Sequence, residues 1–276
     1  MQVAPVVAIV HPGAMGAALG SVLTAVSDRP VLWAGEGRTP DSTRRAAAAG
    51  LRDVGTLSAL CAQAEIVVSV CPPGAAEEVA TAVVKTGFEG LYIDANAVSP
   101  ATARRVGDLF DRYVDGGIVG PPPTGPGMTR LYLAGAEAEV IAQAFNGTLV
   151  ETRIVSGAVG AASAVKMSYA AWTKGTSALL LAIRALAEHE GVTDALLGEW
   201  DLSQQGLAAR SDRVSAGVGP KAWRFEEEMR EIAASLADAG LPPDFHLGAA
   251  EIYRRLAPLK GATQPGLDDV LLLLAE

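Results

Sequence analysis

Through its first 150 residues the chain alternates short, mainly apolar runs with longer stretches rich in alanine and charge. The runs fall at Val6–Val10, Val31–Trp33, Ile66–Val70, Leu91–Asp94 and Ile118–Val119, with another near Leu131–Ala134. Each is too short for a helix and lacks the in–out alternation of a half-exposed strand. They therefore predict strands covered on both faces, as in a parallel sheet. The intervening stretches predict helices over about residues 14–27, 40–50, 56–63, 75–86 and 100–113. Strand–helix alternation of this period implies right-handed crossovers and a doubly wound sheet.

Beyond Val155 the pattern changes. From about Ala158 to Glu190 the sequence predicts one long helix, opening with small residues and continuing through Leu179, Leu180, Ile183, Leu186 and Ala187. Further helices are expected near 193–209, 211–217, 221–239, 244–257 and 265–274, with Pro242-Pro243 stopping one and Asp244 capping the next. The expected fold class is thus α/β, an N-terminal doubly wound parallel sheet over 1–155 followed by an all-α domain over 156–276.

Composition narrows the function classes. Half of the 276 residues are hydrophobic and 19% are charged, enough for a sizeable core and too apolar for disorder. A net charge of -9 argues against nucleic acid or an anionic membrane as partner. No run reaches the roughly 18 apolar residues of a membrane span. The two cysteines, Cys61 and Cys71, and three histidines lack metal-ligand spacing, so no metal site and a reducing, cytoplasmic setting are expected.

Five segments carry candidate chemistry. The first is Val10-His11-Pro12-Gly13-Ala14-Met15-Gly16, where an apolar strand turns into a small-residue helix. Glycines at 13 and 16 suit a pyrophosphate resting on the helix N-terminus, the Rossmann-type dinucleotide turn, although His11 stands where the first glycine of G-x-G-x-x-G belongs. The second is Gly35-Glu36-Gly37-Arg38-Thr39, at the tip that meets the adenosine ribose. Glu36 would suit NAD. Arg38 beside Thr39, with Arg44 and Arg45 a turn later, suits the 2′-phosphate of NADP better, since a guanidinium fork matches phosphate. The third, Val70-Cys71-Pro72-Pro73-Gly74, ends a buried strand in a rigid loop facing the cofactor site. The fourth, Asp94-Ala95-Asn96-Ala97-Val98-Ser99-Pro100, puts Asn96 and Ser99 at the carboxyl end of a central strand, where open α/β sheets bind ligands. The Pro/Gly loop that follows, Gly116 to Gly127 with Gly120 and Thr124, serves as a substrate floor or as a stiff connector. The fifth is Gly157 to Tyr169, in which Lys166 is the first charge on an apolar helix. A lysine in a desolvated cleft acts as acid or base near neutral pH. Lys174, two turns on, competes for that role.

In this order and spacing, the five segments resemble the β-hydroxyacid dehydrogenase family, relatives of 6-phosphogluconate dehydrogenase. The likeness rests on Gly13–Gly16, Val70–Pro73, Asp94–Pro100 and Gly157–Lys166. The segments Trp223–Ile232, Gly240–His246 and Ala250–Tyr253 resemble the subgroup with a short phosphogluconate-dehydrogenase-like C-terminal domain. The resemblance implies an NADP-dependent oxidoreductase, with NAD the alternative cofactor, that interconverts a small hydroxyacid-like substrate and its carbonyl. Lys166 would be general acid/base, and Gly13, Ala14, Met15, Gly16, Arg38, Thr39, Val70, Cys71, Pro72 and Asn96 would hold the cofactor. Ser99, Gly120, Thr124, Tyr169 and His246 would meet the substrate. It also implies a homodimer formed through the helical domain. The chain departs from the family at His11 and at Ala170, where the family's asparagine stands one turn after the lysine; Tyr169 lies beside it. An NADPH-dependent imine reductase shares this architecture, and a non-catalytic Rossmann binding protein is the alternative that His11 favours.

Overall fold

The computed structural model describes residues 4–275, and the chain divides into two compact units, the first ending at Met167 and the second starting at Ser168. The first holds one eight-stranded sheet: β1 (Val7–Ile9), β2 (Leu32–Trp33), β3 (Arg52–Asp53), β4 (Ile66–Ser69), β5 (Leu91–Asp94), β6 (Tyr113–Val119), β7 (Thr129–Ala134) and β8 (Val150–Ile154), in the order β3-β2-β1-β4-β5-β6-β7-β8. From β3 to β6 every pairing is parallel; β7 runs antiparallel to β6, and β8 parallel to β7. The helices of this unit are α1 (Ala14–Val26), α2 (Pro40–Ala48), α3 (Leu57–Cys61), α4 (Ala76–Val84), α5 (Pro100–Gly107), α6 (Ala138–Ala144) and the start of α7 (Ala161–His189).

The two covered faces explain the uninterrupted apolar runs. One cluster joins Ile9, Val68, Ile93 and Leu131 to Leu19 and Leu23 of α1 and to Ile141 and Phe145 at α6. The other joins Ala8, Val67 and Tyr92 to Leu60, Val79, Val83 and Val106 of α3, α4 and α5. Successive strand residues thus feed opposite cores.

The sheet exceeds the six strands expected. β3 and β8 were not anticipated, nor was α6, and β6 begins at Tyr113, where a helix was expected to end. Gly116 and Gly117 lie inside this strand rather than in a loop. The reversal at β7 also makes the sheet mixed rather than wholly parallel.

The second unit is helical: the remainder of α7, then α8 (Thr193–Ser203), α9 (Leu207–Val218), α10 (Ala222–Asp238), α11 (Asp244–Arg255) and α12 (Leu267–Ala275). The break between α8 and α9 falls at Gly206, whose φ of +77° lies in the left-handed region. Among the described residues no helix is long and apolar enough to cross a membrane.

Candidate functional site

The carboxyl ends of β1, β4, β5 and β6 carry the turns that the sequence singles out. After β1, Gly13 is the N-cap of α1, and no side chain caps that helix. Its amide instead donates to His11 O at 2.9 Å, closing a tight turn. The two glycines have different reasons to be there. A Cβ on Gly16 would overlap the carbonyl oxygen of His11, so this glycine lets helix and turn pack. A Cβ on Gly13 would meet nothing within 4 Å, and its φ of -66° suits any residue. Neither packing nor backbone geometry calls for glycine at 13. What it leaves is bare backbone at an uncapped helix N-terminus, the surface a pyrophosphate needs. Ala14 beside it is exposed, and Met15 packs against the core.

Two guanidiniums flank this turn. Arg38 Nη2 donates to Val10 O at 3.4 Å, and Arg45 Nε donates to Pro12 O at 3.1 Å. Arg45 also reaches Ser42 Oγ at 3.3 Å. Thr39 is the N-cap of α2, its Oγ1 accepting the Ser42 amide at 3.3 Å, and Pro40 follows at the first helical position. Burial draws the Arg38 guanidinium below its ordinary pKa. Near Arg38 lies His11, whose Nδ1 is buried and has no hydrogen-bond partner. Burial, and then the Arg38 charge, pull the imidazole down to about 4, so it is neutral at ordinary pH. Glu36 is exposed. The carboxylate that does sit near the tip of β2 is Asp53, which accepts the amides of Gly35 at 2.9 Å and Gly55 at 2.8 Å.

Beyond β4 and β5, Asn96 is buried and turned inward. Its Oδ1 accepts the Cys71 amide at 2.5 Å, its Nδ2 donates to Ser69 Oγ at 3.2 Å, and its own amide donates to Asp94 Oδ1 at 2.9 Å. The side chain therefore ties the Val70-Cys71-Pro72 loop to the end of β5, leaving Pro72 exposed. Ser99 is likewise engaged: it is the N-cap of α5, with Oγ accepting the Thr102 amide at 3.2 Å.

The loop after β6 is folded back on itself. At Gly120, φ is +114° and a Cβ would overlap Met128 O, so only glycine fits. Thr129 Oγ1 donates to Pro121 O at 2.5 Å, and Thr124 stands exposed at the tip.

Lys166 is half-buried on α7, where that helix crosses β6. A Cβ on Gly117 would lie 2.6 Å from Ala162 O and 3.1 Å from Lys166 Cβ, so the strand's missing side chain admits the helix. Sequence reasoning missed what holds the helix start. Asp115, fully buried in β6, accepts the amides of Gly160 and Ala162 at 2.9 Å and of Ser163 at 3.1 Å, all on Oδ2. Its Oδ1 accepts the Ser163 hydroxyl at 2.6 Å. Burial raises the Asp115 carboxyl, and these hydrogen bonds oppose that shift. The available signal was an acid inside an apolar strand, next to two glycines.

Tyr169 and His246 belong to the second unit. Tyr169 is exposed on α7. His246 is buried, with Nε2 3.3 Å from Ala171 O and its ring at right angles to Phe245. Lys174 forms a buried ion pair with Glu228, its Nζ lies 4.4 Å from the Phe225 ring centre, and Tyr253 donates to its carbonyl at 2.7 Å. Among the described residues, no three His, Cys, Asp or Glu gather in a metal-binding group.

Comparison with known proteins agrees with this architecture. A domain of unknown function, DUF1932, matches residues 187–256. An uncharacterized 28.5 kDa protein of Methanothermus fervidus is 28% identical over 166 residues, 59% of this chain and 63% of its own length. The alignment thus spans less than two thirds of that relative. Among solved structures, 3-hydroxyisobutyrate dehydrogenase of Mycobacterium tuberculosis superposes with a TM-score of 0.72 at 18% identity, over 99% of this chain and all of its own (100%). A reductive aminase of Aspergillus terreus, solved with NADPH and ethyl levulinate, superposes with a TM-score of 0.54 at 18% identity over 99% of both chains. The resemblance read from the motifs is borne out: the chain has the fold of β-hydroxyacid dehydrogenase-like proteins, a Rossmann-like sheet followed by a helical C-terminal part.

Proposed function

We propose that this chain is an NADP-dependent oxidoreductase that interconverts a small hydroxyacid-like substrate and its carbonyl, with NAD the less favoured cofactor. The observation that carries the cofactor reading is the bare Gly13 turn flanked by Arg38 and Arg45, tethered to Val10 O and Pro12 O. Two guanidinium forks beside this bare turn suit a ribose 2′-phosphate, and the exposed Glu36 offers NAD no comparable grip. When bound, the cofactor supplies or accepts the hydride. Lys166 gives a proton to the substrate oxygen on reduction and takes it back on oxidation. The backbone at Gly120 and the Thr124 hydroxyl would hold the substrate's polar end, while Asn96 keeps in place the Cys71–Pro72 loop, which would help to hold the cofactor.

Titration of the protein with NADPH and NADH, followed by cofactor fluorescence, tests the first half. NADPH is expected to bind at least tenfold tighter, and Arg38→Ala to erase that preference. No binding of either at near-millimolar cofactor would leave a non-catalytic Rossmann protein. The second half is tested by NADPH consumption with a 3-oxo acid against a cyclic imine. The acid is expected to turn over in the wild type and not in Lys166→Ala; a Lys166→Ala protein of wild-type rate would end the assignment. Preference for the imine would favour a reductase of C=N bonds, the reading that exposed Tyr169 and the reductive-aminase fold keep open.

The same reading includes a cytoplasmic homodimer. In the second unit Trp172 is 67%, Leu179 43% and Leu186 60% exposed along one stripe of α7. Residues seven apart, about two helical turns, fall on a single apolar face, which a second copy would cover. Sedimentation of the wild type against Trp172→Glu/Leu186→Glu tests it, with a wild-type monomer overturning it.

A further inference from the structure

The first turn of α7 is held by a carboxylate from the sheet. Asp115 has no exposed surface, and both its oxygens are directed at this turn through the four hydrogen bonds to Gly160, Ala162 and Ser163. A buried carboxylate is costly unless its hydrogen-bonding capacity is met, and an uncapped helix start carries free amides. Each settles the other's deficit. Two residues along β6, on the same face, Gly117 takes the helix backbone at Ala162 O and the root of the Lys166 side chain. Strand and helix thus meet at two points about one helical turn apart. A helix that slipped by one residue would advance by about 1.5 Å and rotate by roughly 100°. Lys166 would then face elsewhere.

We propose that Asp115 is a positioning residue for Lys166: it fixes the register of α7 on β6 and so the point at which the lysine ammonium is presented. The inference rests on Lys166 being the acid/base, but its first readout needs no substrate. Brief acetylation with acetic anhydride across a pH series, read by peptide mass spectrometry, reports the reactivity of Lys166, with exposed Lys85 as internal standard. Asp115→Asn keeps the size of the side chain but turns an amide NH2 towards helix amides. Ser163→Ala removes only the hydroxyl contact and is the variant to use should Asp115→Asn fail to fold.

The expected result is a several-fold change in Lys166 labelling in Asp115→Asn and a smaller one in the same direction in Ser163→Ala. Lys85 labelling and NADPH affinity should stay within twofold of wild type. With a turned-over substrate, kcat should fall by about a hundredfold in Asp115→Asn, as expected for an ångström-scale misplacement. The same change on the Lys166→Ala background should add nothing. A folded Asp115→Asn, or Ser163→Ala in its place, with wild-type Lys166 labelling overturns the proposal. Full turnover by Lys166→Ala, with labelling still altered in Asp115→Asn, would instead remove the acid/base assignment and leave the register role standing.

Discussion

Asn96 takes the amide of Cys71 on its side-chain oxygen at 2.5 Å, across the gap between the ends of β5 and β4. A polar residue that the sequence marks as a ligand group is thus a brace, holding a loop from beneath. Asn96→Ala removes acceptor and donor together from a buried place. It is expected to cost about 1–3 kcal/mol of stability and to weaken NADPH binding through the displaced loop. Thermal melts and cofactor titration check this; unchanged values in both would show that the brace does not matter.

The two glycines of the β1 turn should respond oppositely to alanine. Gly16→Ala drives a Cβ into the His11 carbonyl and should lower the melting temperature markedly. Gly13→Ala has room and a compatible φ, so stability should hold or rise by roughly 0.4–1 kcal/mol, while NADPH affinity falls. A Gly13→Ala protein that binds NADPH like wild type would mean that the bare turn is not where the pyrophosphate lies.

His11 should make the protein acid-sensitive. Its folded-state pKa of about 4 lies below the ordinary value of 6.5. As pH falls through that window the unfolded chain takes up a proton that the folded chain refuses, so stability declines as pH drops from 6.5 towards 4. The slope from this residue is at most about 1.4 kcal/mol per pH unit. His11→Gln, which cannot charge, should flatten that part of the curve of melting temperature against pH. Parallel curves for variant and wild type would contradict it.

Lys174 should matter for stability rather than for proton transfer. Its ion pair with Glu228 is largely enclosed, with side-chain exposures of 17% and 9%. Removing one partner strands the other charge, so Glu228→Ala is expected to cost about 3–5 kcal/mol. The apolar double variant Lys174→Met/Glu228→Leu should recover much of that loss. Denaturant unfolding decides, and a Glu228→Ala midpoint equal to wild type would show the pair to be inconsequential.

These cases also show what the sequence could reveal. β1, β4 and β5 were legible because burial on both faces leaves continuous apolar runs, and the Gly13–Gly16 turn because its chemistry is local. β3, two exposed residues at a sheet edge, has no pattern to find. The Asp-Gly-Gly centre of β6 resembles a turn, because turn residues and close-packing residues are the same residue types. Asp115 was invisible as an anchor because its partners lie 45 to 48 residues further along the chain. Asn96 could be placed at the site, but only packing could show which way it faces.

The reversal of β7 has a directional consequence. Because β7 and β8 both run against β6, the chain leaves β8 at the edge of the sheet where the parallel strands begin. Val159 then passes Tyr113 and Gly135, the helix start meets Asp115, and Lys166 arrives beside Gly117. The start of α7 therefore climbs along β6 in the strand's own direction and delivers its lysine towards the rim where the β1, β4 and β5 turns open. Had β7 and β8 continued the parallel order, the chain would have emerged at that rim and α7 would have had to descend from it. One antiparallel strand, far from the β1 turn in the sheet, sets the direction in which α7 and its Lys166 run along β6.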